Sequence, residues 1–174
     1  MNDSMNPVID AILNRRSIRR YSGKPVDKST IKELLIAGMY APSARNQQPW
    51  HFIVIDDRGL LERIRNVHPY ASMLSGAELA ILVCGDEDLE LSKGYWSVDC
   101  AASTQNILLA AHALGLGAVW LGVYPRVERQ KEIREIFDLP QNIHPFSLIS
   151  VGYPAEDKPV PDRFKEERIR WNKW

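Results

Sequence analysis

The chain has 174 residues, 45% of them hydrophobic and 25% charged, enough to bury roughly 70% of its unfolded surface without disulfide or metal staples. Its 22 basic side chains balance 22 acidic ones, which excludes a polyanion binder acting through overall charge and leaves any phosphate attraction to a local cluster. Two cysteines, Cys84 and Cys100, exclude a disulfide framework and fit a reducing compartment, so a cytoplasmic protein is expected.

The length predicts one domain over residues 1–174. Asp3 and Asp10 stand where a signal peptide would need a basic start and an unbroken apolar run. Asn6-Pro7 opens a first helix, with Asn6 as N-cap and Pro7 at the first helical position, where its missing N–H costs nothing. Val8, Ile9, Ile12 and Leu13 form its apolar face, and it runs into RRSIRRYSGKP, where Gly23 and Pro25 end it. A second helix begins near 27–30. Thr30 and Glu33 have capping-box spacing, with Asp27 as a competing cap. Ile31, Leu34, Leu35 and Gly38 give its face, and Pro42 stops it.

SARNQQPW is a loop by composition. Four short apolar runs then read as buried strands: FIVI at 52–55, LAILVC at 79–84, AVWL at 118–121 and FSLISVG at 146–152. Helices are predicted at 60–67, 96–114 and 127–137. Residues 107–124 are apolar enough to suggest a membrane span, but Gly115-Leu-Gly117 breaks the run into a helix end and a strand start. Strands separated by helices imply a sheet covered on both faces, of α/β or α+β class. The tail has prolines at 154, 159 and 161, then Phe164, Ile169, Trp171 and Trp174. A stiff lead-in followed by apolar side chains predicts an arm over 155–174 that embraces another subunit, or else packs on its own.

Two patches carry chemistry. RRSIRRYSGK at 15–24 holds Arg15, Arg16, Arg19, Arg20 and Lys24 with no acid among them. Guanidinium forks suit phosphate oxygens, although a solvated basic helix end is the plainer reading of such a run. APSARNQQPW at 41–50 supplies Ser43, Asn46, Gln47 and Gln48, whose paired donors and acceptors can match a planar heterocycle or satisfy the loop's own backbone. The four histidines show no metal-ligand spacing, and both cysteines sit in apolar segments.

Together, RRSIRRY and APSARNQQPWHFIVI, followed in order by GLGAVWLG at 115–122 and VGYPAE at 151–156, resemble the FMN-dependent nitroreductase family across nearly the whole chain. The resemblance implies an α+β, three-layer α/β/α sandwich with a mostly antiparallel central sheet and an extended C-terminal arm. It implies FMN as cofactor, with Arg15, Arg16, Ser17 and Arg19 on the ribityl phosphate and Arg163, or in reserve Lys158, completing that site. Pro42, Ser43, Ala44 and Asn46 would lie against the flavin from the partner of a homodimer, Ala44 replacing a hydroxyl found in other members. Trp120, Leu121 and Gly122 would present backbone groups near the reactive ring. The activity implied is electron transfer from NADH or NADPH to a small electron-poor acceptor in ping-pong turnover, with no side-chain catalyst, no nucleic acid and no membrane. A flavin-holding protein without turnover and an anion-binding module built on Arg15–Arg20 are the rival expectations.

Overall fold

A computed structural model describes residues 6–174; Asp3 lies outside them. Helix α1 (Pro7–Asn14) is capped by Asn6, whose side-chain oxygen accepts the Val8 N–H at 2.9 Å. It ends well before Gly23. At Arg15 the backbone turns extended (φ −55°, ψ 127°), and the next residues lie along the sheet edge instead of continuing the helix. Ile18 N–H donates to the Ala118 carbonyl at 3.0 Å, Ser17 bridges Ala118 in parallel, and Tyr21 bridges Pro154. A helix would have stacked Arg15 on Arg19 and Arg16 on Arg20, pairs that repel. The extended form instead buries Ile18 against Gly117, where an added Cβ would lie 2.6 Å from the isoleucine side chain.

Helix α2 (Lys28–Met39) is capped by Asp27, which accepts the Thr30 N–H at 2.8 Å and so settles the competition with Thr30. The sheet contains β1 (Trp50–Ile55), β2 (Leu79–Asp86), β3 (Gly117–Gly122) and β4 (Ile143–Gly152) in the order β1-β2-β4-β3, each pair antiparallel. The fourth strand starts earlier than its apolar run because Pro145 is accommodated where the β2–β4 register shifts between Val83 and Cys84. All eight residues of β2 are buried, as a central strand covered on both faces requires. Alternation divides the core. Leu79, Ile81, Val83, Ile149 and Val151 face α2 and α4 (Trp96–Ala113). Ala80, Leu82, Cys84, Leu148, Val119 and Leu121 join the cluster that holds Leu61 and Ile64 of α3 (Arg58–Val67) and Ile133 of α5 (Val127–Phe137). The result is three layers of α+β class.

The 107–124 run divides as its glycines suggest. Helix α4 ends at Ala113, Gly115 takes φ +74°, and Leu116 N–H returns to the Ala111 carbonyl at 2.8 Å. Among the described residues no helix is long and apolar enough to cross a membrane.

Candidate functional site

The extended strand 15–20 is held from one side by the start of the arm. Ser22 N–H donates to the Tyr153 carbonyl and Ala155 N–H to the Arg20 carbonyl, both at 2.9 Å. Arg16 Nε donates to the Pro159 carbonyl at 2.9 Å, and its Nη1 to the carbonyls of Leu13 and Arg15. Its Nη2 is buried without a partner. Burial first, then the positive charges of Arg163 and Arg16, hold the Arg15 guanidinium below its ordinary value. Arg163 is therefore close enough for its charge to be felt. Lys158 is already engaged: its Nζ donates to the Ser17 carbonyl at 2.6 Å and pairs with Glu156 at 3.2 Å. Among the described residues none of Arg15, Arg16, Arg19 and Arg163 forms an ion pair.

Strand β3 is an edge strand, and the Ile18 contact covers only its first part. Val123 N–H turns to the Phe146 carbonyl on the β4 side, so alternation turns the backbone of Trp120 and Gly122 outward. A cavity of about 380 Å³ opens there, lined by Arg19, His68, Tyr70, Ser72, Trp120 and Gly122 among others. That size lies within the usual ~300–1,000 Å³ of small-molecule sites. A Cβ added at Gly122 would meet nothing within 4 Å, so this backbone is open to close approach.

Three residues that carried no sequence signal frame this edge. The Gly122 carbonyl accepts from His68 Nε2 at 3.0 Å and from Arg129 Nη1 at 2.9 Å. His68 Nδ1 accepts the Tyr70 N–H at 3.2 Å, which fixes the tautomer and leaves the imidazole neutral. Burial lowers its affinity for a second proton, and Arg129 adds to the effect. The Arg129 guanidinium also lies 5.3 Å from the centre of the Tyr70 ring. His68 follows a short helix and Arg129 sits among the charges of a surface helix, so neither belongs to a recognisable motif.

The amide-rich loop is placed elsewhere. Gln47 is buried; its Nε2 donates to Asp99 at 2.6 Å and its Oε1 accepts the N–H groups of Leu91 and Ser92 at 2.9 Å. Asp99 also accepts the Ala44 N–H at 2.9 Å. Ser43 accepts the Gln48 N–H, and Gln48 donates back to Asn46. Arg45, Asn46 and Gln48 all have positive φ, a density of left-handed non-glycine residues that persists only when the surroundings over-determine it. Arg15, Arg16, Ser17 and Arg19 thus meet the arm and the β3 edge. Pro42, Ser43, Ala44 and Asn46 do not line the cavities that Arg19 lines.

The model of the nitroreductase family matches residues 12–73 and 68–153. A provisionally named NADH dehydrogenase/NAD(P)H nitroreductase of Methanothermobacter thermautotrophicus is 50% identical over 167 residues, 96% of this chain and 87% of its own. The crystal structure of a protein given the same provisional name, from Parabacteroides distasonis, superposes with a TM-score of 0.94 at 42% identity, covering 98% of this chain and 100% of that one. A provisionally named nitroreductase of Desulfovibrio desulfuricans, solved in complex with FMN, gives 0.86 at 32% identity, with coverage of 98% and 99%. The three-layer sandwich expected from the motifs is the observed fold, and the chain belongs to the nitroreductase family.

Proposed function

We propose that this protein is an FMN-dependent oxidoreductase that passes electrons from NADH or NADPH to small electron-poor acceptors such as nitroaromatics or quinones. The observation that carries this reading is that Arg15 lies under the positive charges of Arg16 and Arg163, with a buried, unpartnered Arg16 Nη2 and, among the described residues, no carboxylate paired to any of the three. Mutually repelling guanidinium groups are stable together when a dianion neutralises them, and a ribityl phosphate is such a group. Arg15, Arg16, Ser17, Arg19 and Arg163 would hold it. Arg163 is kept over its reserve Lys158, because the lysine is committed to Ser17 and Glu156. The outward N–H groups of Trp120 and Gly122 would meet the polar edge of the ring.

When bound, FMN supplies the hydride chemistry, and the protein supplies placement and electrostatics. The protein's own side chains agree with that division. His68 is fixed as a neutral donor to a carbonyl. Burial pushes the Cys84 thiol up to about 12 and the Cys100 thiol higher still, so neither is a thiolate nucleophile. One open face serving donor and acceptor in turn gives ping-pong kinetics.

The active unit is a homodimer with the flavin between subunits. Three features support this. Residues 42–46 lie away from the cavities of their own Arg19. Helix α1 buries no residue and exposes Val8, Ile9, Ile12 and Leu13. In the arm, Phe164, Trp171 and Trp174 remain exposed on their own chain, an apolar display that favours a partner surface. The whole of 1–174 acts as one domain, and its two free, buried cysteines suit the cytoplasm.

The absorbance spectrum of purified protein, the identity of its released cofactor and steady-state oxidation of NADH and NADPH test the reading. A flavin spectrum, released FMN and parallel double-reciprocal lines are expected. A colourless protein would contradict it, and bound flavin without NAD(P)H oxidation would leave a flavin carrier instead.

A further inference from the structure

Glu156 stands inside the basic cluster. Its Oε1 accepts the Arg19 N–H at 2.6 Å and the Arg20 N–H at 3.3 Å, and the same atom pairs with Lys158 at 3.2 Å. Lys158 in turn donates to the Ser17 carbonyl. The carboxylate therefore ties the strand that carries Ser17 and Arg19 to the first residues of the arm. It lines the same cavities as Arg16, Arg19, Arg20 and Lys158, and side-chain burial is high for a surface acid, at 19% exposed.

We infer that Glu156 is a positioning residue of the phosphate site whose two effects oppose each other. Its oxygen holds the backbone of Arg19 and Arg20 in the extended form that presents the arginines. Its charge, and its neutralisation of Lys158, weaken the field that would bind a phosphate. The site is thereby set for a cofactor held firmly in place but not at the greatest affinity its basic residues allow. The inference rests on FMN being the ligand.

The two effects separate by substitution. Glu156→Gln keeps an acceptor oxygen for the Arg19 N–H and removes the charge; Glu156→Ala removes both. Apoprotein is titrated with FMN and with riboflavin, which has the ring but no phosphate. Glu156→Gln should bind FMN about three- to tenfold more tightly, the effect of removing a unit charge beside a phosphate at a half-solvated site, with riboflavin affinity unchanged. Glu156→Ala should bind FMN about tenfold more weakly or worse, since a backbone donor loses a charged partner. If Glu156→Gln weakens FMN as Glu156→Ala does, or shifts riboflavin equally, the inference is overturned. Should Glu156→Ala not fold, salt decides: the FMN affinity of Glu156→Gln must fall more steeply with ionic strength than that of wild type, and an equal slope overturns it. Wild-type apoprotein that ignores FMN overturns the cofactor reading itself.

Discussion

The strand carrying Arg15 to Arg20 and the loop carrying Ser43 to Gln48 treat their polar atoms in opposite ways. The loop closes on itself. Gln47, Asp99 and the N–H groups of Ala44, Leu91 and Ser92 complete one another in a buried bracket, and Ser43, Asn46 and Gln48 form a second one at the surface. The strand leaves the Arg15 guanidinium under the positive charges of Arg163 and Arg16, with one Arg16 nitrogen buried and unmatched. The lesson is that an amide-rich motif can be mostly scaffold. Gln47 holds the shape, and the strained backbone at Arg45 and Asn46 is what remains to present outward. The basic motif is tied down through Arg16, through the Ser17 carbonyl and through the N–H groups of Arg19 and Arg20, while among the described residues the guanidinium groups of Arg15, Arg16 and Arg19 form no ion pair.

The difference can be broken from either side. The largest effect on folding should come from the bracket. Gln47→Leu leaves buried Asp99 short of a donor and two backbone N–H groups short of an acceptor, a loss of about 2–4 kcal/mol, measured as the urea midpoint of apoprotein. The strand should behave in the reverse manner. Arg15→Gln should remove one charge-assisted contact to the proposed phosphate, about 1.5–3 kcal/mol, or roughly 10- to 150-fold in FMN affinity. The urea midpoint of its apoprotein should hold or rise, because a repelling charge has gone. A Gln47→Leu protein as stable as wild type, or an Arg15→Gln apoprotein that unfolds early, would erase the distinction between bracket and proposed anion site.

The smallest expected effect is at the Asp27 cap. Hydrogen bonds from Ser29 first, then from Thr30, hold its carboxyl at about 2, below the ordinary 3.8. A carboxylate with a depressed folded value contributes stability that is present above the unfolded value and lost as pH falls through the folded one. The stability gap between wild type and Asp27→Asn should therefore be open at neutral pH and close between about 4 and 2, read from denaturation midpoints at each pH. The gap should be small, since Asn is itself a good N-cap.

Much of this was legible in the chain. Four apolar runs became four strands, because their alternating side chains fill two core clusters, one on each side of the sheet. The basic and amide-rich motifs, with the runs at 115–122 and 151–156, pointed to the family. What was hidden depended on distant partners. The helix through Arg15–Arg20 did not form because that segment finds an edge at Ala118, about a hundred residues away in sequence, and local periodicity carries no trace of such a contact. The same holds for His68, just past the end of α3, and Arg129, in the first turn of α5, which converge on one carbonyl. The internal role of Gln47 depends on Asp99 of α4, which no spacing rule connects to it.

The central claim is that strand and loop of different subunits complete one site, and complementation measures it most directly. Arg15→Gln disables the strand; replacing residues 43–46 by a glycine-serine segment disables the loop. Each variant alone should bind little FMN. Unfolded together and refolded at equal amounts, they should recover about a quarter of the wild-type flavin sites, because random pairing makes half the dimers mixed and each mixed dimer has one intact site. No recovery, with mixed dimers shown to form, would place strand and loop of the same subunit in one site and contradict the account.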